Sequence, residues 1–119
     1  MPPIVLIVAS PADSDWKERL VGQLQVYERL GALTIWEENQ AQFNVNVRAE
    51  KQQVIQEAAI AVFLISADFL GSDAIVREVV SPLLERARAG NVRIVSVFVR
   101  PCDWAGVDWL HDLRRHPRD

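Results

Sequence analysis

The sequence predicts an α/β fold built on a parallel β-sheet with helices on both faces. Four short apolar runs, rich in valine and isoleucine, alternate with segments of helical spacing: residues 4–9, 33–36, 60–65 and 92–99. The runs are continuous rather than alternating, which is typical of strands covered on both faces. Regular alternation of strand and helix indicates right-handed crossovers and therefore a three-layer sandwich.

The length of the chain favours one winding of that sheet. A chain of 119 residues is large enough for a single domain with one core, and we expect it to be part of a longer protein. The predicted topology is the flavodoxin-like winding, with strand order 2-1-3-4, or 2-1-3-4-5 if a fifth strand follows. The loops at residues 10–15 and 66–73 then flank a cleft at the carboxyl ends of the first and third strands.

The first helix has clear start and stop signals. Ser10 is placed to cap it, Pro11 suits its first position, and Asp13 is predicted to be the acidic half of a capping box. Gly31 ends it. The predicted inner face consists of Trp16, Leu20, Leu24 and Tyr27.

The later helices follow the second and third strands. The second helix is predicted to bury Val47, Val54, Ile55 and Ala58. The third begins after Ser72 or Asp73, and Pro82 is expected to kink it because proline removes a backbone hydrogen bond. Its predicted inner face consists of Ile75, Val76, Val79, Val80, Leu83, Leu84 and Ala87. A short amphipathic segment follows at residues 107–115.

Composition argues against several classes of protein. A net charge of −3 disfavours nucleic-acid binding, and no apolar run reaches the length that crosses a bilayer. The amino terminus has no basic region and no cleavage site of a secretion signal. A single cysteine and two histidines argue against a disulfide or a metal site. We expect a cytoplasmic protein with no cofactor, no nucleic-acid partner and no membrane contact.

The motifs of several α/β enzymes and switches are missing. The turn after the first strand reads Ser-Pro-Ala-Asp, without the glycines that dinucleotide binding needs. No phosphate-binding Gly-x-x-x-x-Gly-Lys loop and no Gly-x-Ser-x-Gly elbow occur. The third strand ends in Ile-Ser-Ala instead of the aspartate of a receiver domain, and no lysine follows Lys51.

Four blocks of the sequence resemble the bacterial branch of the Toll/interleukin-1 receptor (TIR) domains. The blocks are VLIVASPADSDWKERL (5–20), LTIWEE (33–38), AVFLISADFLGSDAIVREV (61–79) and RIVSVFVRPCDW (93–104). The resemblance implies a signalling or assembly domain in a bacterial signalling or anti-phage system, which binds other TIR-like domains or itself and oligomerises when activated. By that resemblance, the loop after the second strand is the interface, with Phe43, Asn44 and Val45.

The resemblance also implies an alternative function, cleavage of NAD⁺ at the nicotinamide–ribose bond. Glu78 matches the glutamate that the family uses early in its third helix, and a carboxylate there would stabilise an oxocarbenium-like ribose. Ser10 and Asp13 match the family pattern and, with Trp36, are the candidate NAD⁺ pocket. Glu78 can equally be a solvated acid near a helix amino terminus, and capping alone explains Ser10 and Asp13.

Three departures from the family pattern favour association over catalysis. Ala74 stands where the family has an aromatic residue, and Val8-Ala9 stand where it has Ser-Tyr. Glu38-Asn39 replace the Asp-Arg pair of the loop after the second strand. The pocket features are therefore altered while the core pattern is intact, so association is the main prediction and NAD⁺ hydrolysis the alternative.

Overall fold

The structure is a computed structural model that describes residues 2–37, 45–100 and 107–110. The strands are β1 (Ile4–Val8), β2 (Thr34–Glu37), β3 (Ile60–Ile65) and β4 (Arg93–Phe98). The helices are α1 (Ser14–Arg29), α2 (Val45–Glu57), α3 (Ala67–Leu70), α4 (Asp73–Ile75) and α5 (Ser81–Arg88). A 3₁₀ turn (Pro11–Asp13) leads into α1, and a π-helical segment (Val76–Val80) joins α4 to α5.

The four strands form one parallel sheet in the order β2-β1-β3-β4, which confirms the predicted flavodoxin-like winding. The register pairs Val8 with Phe63 and Ile65 with Phe98, so the carboxyl ends of β1, β3 and β4 lie at one edge. The topological switch point lies between β1 and β3, as expected. The fifth strand that the sequence leaves open would follow β4, where most residues lie outside the described ranges.

The core has two halves, one on each face of the sheet. Because successive side chains of a strand point to opposite faces, neighbouring residues of β1 and β3 enter different halves. One half contains Leu6, Val8, Phe63 and Ile65 with residues of α2, the π-helical segment and α5. The other half contains Val5, Ile7, Val62 and Leu64 with Val21 of α1. Helices therefore cover both faces, and the three-layer prediction is correct.

The predicted inner face of α1 is correct for Leu20 and Leu24, which pack against the core, and wrong for Trp16 and Tyr27. Trp16 and Tyr27 are 42% and 53% exposed. The inward stripe instead has the spacing i, i+3, i+4, i+7 and consists of Lys17, Leu20, Val21 and Leu24, of which Val21 is the most buried. The reason for the error is that a lysine occupies the first inward position, and apolarity alone selects its neighbour Trp16.

The predicted burial of β4 on both faces is also wrong. Burial alternates along this strand, and Val95 and Val97 are 40% and 39% exposed. In the part of the chain that the structure describes, β4 is the edge strand of the sheet. On the face where Val95 and Val97 lie, α1 packs over β2 at the other end of the sheet, so this face of β4 stays open.

The third crossover is divided rather than continuous. Ser66 caps the short helix α3, which was not predicted, and Ser72 caps α4 as expected. The disruption predicted at Pro82 takes the form of a wider turn before it. The amide and hydroxyl of Ser81 both donate to the carbonyl of Val76, five residues back. Proline has no N–H to donate to the carbonyl of Glu78, so Pro82 takes a place in the first turn of α5, directly after the π-helical segment, where that hydrogen bond is not required.

The last described residues return to the α5 side of the sheet. Trp109 packs edge-on against Phe63, with ring centroids 5.9 Å apart, and Leu110 is fully buried. Residues 108–110 are helical, as the amphipathic pattern predicts. Within the described ranges, none of the helices combines the length and the apolar character that crossing a membrane requires.

Candidate functional site

A pocket lies at the carboxyl ends of β1 and β2, between α1 and α2. The space within the pocket and its open mouth together amount to about 460 Å³. The lining residues come from five parts of the fold: Leu6, Ile7, Val8, Ala9, Ser10, Pro11, Lys17, Trp36, Lys51, Ile55 and Val79. In open α/β sheets, this edge is where ligands bind.

Two of the predicted site residues, Ser10 and Trp36, meet in this pocket. Ser10 is buried, and its Oγ accepts a hydrogen bond of 3.3 Å from the amide of Ala12, so it caps the 3₁₀ turn that leads into α1 rather than α1 itself. The indole Nε1 of Trp36 donates to Glu50 Oε1 at 2.7 Å. That bond ties the ring to α2 and orients it at the pocket wall.

Among the described residues of the lining, the charged ones are Lys17 and Lys51, neither of which was predicted as a site residue. Both side chains are partly buried. The Nζ of Lys17 lies 3.4 Å from Glu37 Oε1, and its side chain is 19% exposed. Their residue type could have singled them out in the sequence, because they are the only two lysines among 13 lysines and arginines.

Asp13, the third predicted pocket residue, is placed elsewhere. It is 1% exposed and does not line the pocket. Its carboxylate accepts a hydrogen bond from the hydroxyl of Ser66 and lies 2.7 Å from Arg100 Nη2. The predicted capping box is therefore wrong: Asp13 makes no capping hydrogen bond to α1, because its carboxylate is turned towards the ends of β3 and β4.

Arg100 joins two carboxylates at the edge of the sheet. Its Nη2 donates to Asp68 Oδ2 at 2.7 Å, and it approaches Asp13 at the same distance in a less well aligned ion pair. The hydrogen bond to Asp68, with a further contribution from Asp13, raises the pKa of the Arg100 guanidinium. This residue therefore keeps its charge throughout the physiological pH range. We name Asp13, Ser66, Asp68 and Arg100 the strand-end cluster.

Glu78 lies in the π-helical segment, one residue before Val79, which contributes to the pocket wall. Its own side chain is exposed and is not part of the lining. Glu78 therefore lies on the solvent-exposed side of the π-helical segment, whose neighbouring residue Val79 lines the pocket. Single-turn π-helices often occur at functional sites.

The predicted interface lies largely outside the described residues. Phe43 and Asn44 lie outside the described residues, as does the side chain of Val45, whose backbone begins α2. Among residues 2–37, 45–100 and 107–110, no three His, Cys, Asp or Glu side chains are grouped as metal ligands would be.

Comparisons with known proteins support the fold. No family model matches the sequence. The chain is 26% identical over 102 residues to the uncharacterized protein y4lF of Sinorhizobium fredii (strain NBRC 101917 / NGR234), a match that covers 86% of this chain and 32% of that protein. The chain thus spans about a third of the length of this relative.

A solved structure extends the comparison to three dimensions. The chain superposes on the crystal structure of the TIR domain of the Toll-related receptor TRR-2 from Hydra magnipapillata with a TM-score of 0.63 and 22% sequence identity. The superposition covers 94% of this chain and 89% of the TIR domain. Together with the parallel sheet of order 2-1-3-4, this similarity shows that the chain has a TIR-like fold.

Proposed function

We propose that this chain is a TIR-like signalling or assembly domain that associates with other TIR-like domains or with a second copy of itself. The observation that carries the proposal is the similarity to a TIR domain over 94% of the chain. The similar protein of Sinorhizobium fredii is bacterial, and we propose that the domain acts in a bacterial signalling or anti-phage system. We place the protein in the cytoplasm and propose that it oligomerises on activation.

The surface of the described residues supports an associating domain. Val26, Tyr27 and Leu30, at the end of α1, are 56%, 53% and 75% exposed. Large apolar side chains grouped on a surface are a common feature of protein-binding sites. Weak surfaces of this kind become effective when neighbouring modules hold several copies together, because linking raises the local concentration to about the millimolar range. The proposed contact residues remain Phe43, Asn44 and Val45.

The test compares two aromatic residues in self-association of the clustered protein. The domain is fused to a chemically inducible dimeriser, and assembly is followed by light scattering with and without the inducer. We expect Phe43→Ala to reduce assembly severalfold, and Tyr27→Ala, in the exposed apolar group at the end of α1, to reduce it by less, because the loop residues are the proposed contacts. The melting temperature of both variants should stay within about 2 °C of the parent.

Two outcomes would contradict this proposal. If the parent protein does not assemble even when clustered, the association function is wrong. If Tyr27→Ala abolishes assembly and Phe43→Ala does not, the interface lies on α1 and the loop assignment is wrong. Unfolding of Phe43→Ala would place that side chain in the core.

A second candidate function is hydrolysis of NAD⁺, supported by the position of Glu78 beside Val79 of the pocket wall. In this reaction, the bond between nicotinamide and ribose breaks, and neutral nicotinamide leaves with the bonding electron pair. Water then adds to the ribose carbon and loses a proton, which yields ADP-ribose. The carboxylate of Glu78 would stabilise the positive charge that develops on the ribose.

Nicotinamide release from NAD⁺ by the clustered protein tests this second function. We expect Glu78→Gln to lower the rate by about 100-fold or more, since a carboxylate that stabilises the transition state contributes on that scale. Glu85→Gln is the control, because Glu85 is an equally exposed glutamate on α5. No release under clustering, or equal loss in both variants, would eliminate Glu78 as a catalytic residue.

A further inference from the structure

We propose that β4 pairs edge to edge, in antiparallel orientation, with β4 of a second copy of the chain, so that two four-stranded sheets join into one. Within the described residues, β4 is an edge strand, and one of its faces is open. The edge of a sheet presents a row of backbone N–H and C=O groups that another strand can bind. The occupant that we assign to this edge is the same edge of a second copy.

The hydrogen bonds between β3 and β4 determine which backbone groups point away from the sheet. The amide of Arg93 donates to the carbonyl of Ala59, which directly precedes β3. Backbone groups of a parallel strand alternate between its two sides, so every second amide after Arg93 also points towards β3. The amides of Ile94 and Ser96 therefore point outwards, where a further strand would bind.

One register of two such edges pairs each exposed valine with another exposed valine. In this register, Ser96 lies opposite Ser96 of the second copy, and the two residues exchange backbone hydrogen bonds across a two-fold axis. Val95 of each copy then lies opposite Val97 of the other. Both valines are exposed on the same face of β4. Contacts between side chains that lie opposite each other are what stabilises a pair of antiparallel strands.

The hydroxyl of Ser96 independently favours the same register. Its Oγ is buried and has no hydrogen-bond partner among the described residues. A buried polar atom without a partner costs free energy, and native structures contain few of them. In the proposed dimer, the two Ser96 side chains lie opposite each other on one face, where one hydroxyl can donate to the other.

The charges at the two ends of β4 are compatible with this pairing. Arg93 begins the strand, and Arg100 lies shortly after its end. In the register centred on Ser96, Arg93 lies opposite Val99 of the second copy, and Arg100 lies opposite its Val92. Like charges that lie directly opposite each other destabilise a sheet, and this register avoids them.

The other edge of the described sheet is protected against pairing. That edge is β2, whose Thr34 amide donates to the carbonyl of Pro3, so the next amide, that of Ile35, points outwards. Glu28 of α1 covers this position, because its Oε2 accepts a hydrogen bond of 2.9 Å from the Ile35 amide. A charged side chain at a strand edge discourages pairing with another chain. The two edges therefore differ, and β4 is the one suited to a partner strand.

This dimer is distinct from the assembly proposed above. It forms without clustering and contains neither the proposed contacts at residues 43–45 nor Glu78. A chain that stays monomeric in solution can still assemble when it is clustered, so the two proposals can fail separately. Phe43→Ala should accordingly leave the β4 dimer unchanged.

Sedimentation of the whole chain over a concentration series measures the dimer, and amide hydrogen exchange locates it. We expect a dissociation constant of about 10–100 μM, because an interface of two strand edges is small. The amides of Ile94 and Ser96 should exchange at least about tenfold more slowly well above this concentration than well below it. The amides of Val95 and Val97, which point to β3 in the monomer and in the dimer, are the internal control and should change much less.

Two substitutions locate the interface independently. Val97→Lys places an ammonium group at the interface and should weaken the dimer by at least about tenfold, whereas Thr34→Lys, at an exposed position of β2, should leave it unchanged. Thermal unfolding confirms that each variant is folded. Ser96→Cys should form a disulfide between the two copies, because opposite Cα atoms of a hydrogen-bonded pair lie about 5.5 Å apart. The parent, which also contains Cys102, gives the background of this cross-linking and decides the case if Val97→Lys does not fold.

A protein that is monomeric even at millimolar concentration would overturn this inference. A dimer in which the Ile94 and Ser96 amides exchange as fast as in the monomer would overturn it too, as would equal weakening by Val97→Lys and Thr34→Lys. Slow exchange of both amides at every concentration, in a monomeric protein, would show that a strand of the same chain covers β4 instead of a second copy.

Discussion

The guanidinium of Arg100 lies 2.7 Å from the carboxylate of Asp13, although 87 positions separate the two residues in the chain. Arg100 follows β4 and Asp13 follows β1, while Ser66, directly after β3, donates to the same carboxylate. The strand-end cluster thus joins the ends of three neighbouring strands. Both 1%-exposed Asp13 and fully buried Ser66 are polar groups that need their partners, because a buried polar group without one is costly.

Removal of the Asp13 carboxylate should destabilise the fold. Asp13→Ala leaves the buried Ser66 hydroxyl without an acceptor, and we expect the free energy of unfolding to fall by about 2–4 kcal/mol. Asp68→Ala removes the other carboxylate that pairs with Arg100. Because the Asp68 side chain is 54% exposed, we expect this change to lower the free energy of unfolding by less than about 1 kcal/mol. Urea unfolding of both variants gives the comparison. Equal losses would show that the burial of Asp13 has no energetic consequence.

The contribution of Arg100 should not depend on pH from neutral to moderately basic solution. Its pKa is raised in the folded state, above an unfolded value that is already far above neutrality. A group of this kind stabilises the fold below its unfolded pKa and loses that contribution only as the pH rises through the folded pKa. The stability difference between the parent and Arg100→Gln should therefore be constant from about pH 7 to about pH 10. A difference that shrinks in this window would contradict the assignment.

Two glycines of α1 should respond to alanine in opposite directions. Gly31 has φ of 79° and ends α1 in a Schellman motif, in which Ala32 N donates to Tyr27 O and Gly31 N to Glu28 O. Gly31→Ala should cost about 1 kcal/mol because a side chain disfavours this backbone conformation. Gly22 lies within α1 with open space around it, so Gly22→Ala should stabilise by about 0.5–1 kcal/mol. Thermal unfolding measures both; a gain for Gly31→Ala would mean that α1 ends elsewhere.

Two tryptophans test whether residues 107–110 are part of the core. Trp109 contacts the rings of Phe63 and Phe69, both fully buried. Trp109→Ala should therefore cost about 2–4 kcal/mol. Trp16 is 42% exposed and contacts the guanidinium of Arg19, so Trp16→Ala should cost less than about 1 kcal/mol. Chemical denaturation distinguishes the two, and similar small losses would show that residues 107–110 are detached from the sheet.

The sequence was sufficient for the four strands, the main helices and their order, but not for α3 or the division of the third crossover. Continuous apolar runs mark strands because both of their faces must be buried, and this information is local. The observed bounds differ from the predicted ones by one residue at several ends. Ser72 caps its helix as predicted, whereas Ser10 caps the 3₁₀ turn before α1. Two residues of the candidate pocket, Ser10 and Trp36, could be found in the same way, because they end or follow predicted strands whose carboxyl ends share an edge.

Only the tertiary structure decided what the charged residues do. Asp13 has the spacing of a capping residue, yet its carboxylate is used by Ser66 and Arg100, which come close only when β3 and β4 join the sheet. Lys17 has the sequence character of a surface residue, but the orientation of α1 on the sheet leaves its side chain only 19% exposed. The physical reason is that burial of apolar side chains follows from short-range pattern, whereas the partner of a charge depends on which distant segments the folded chain brings together.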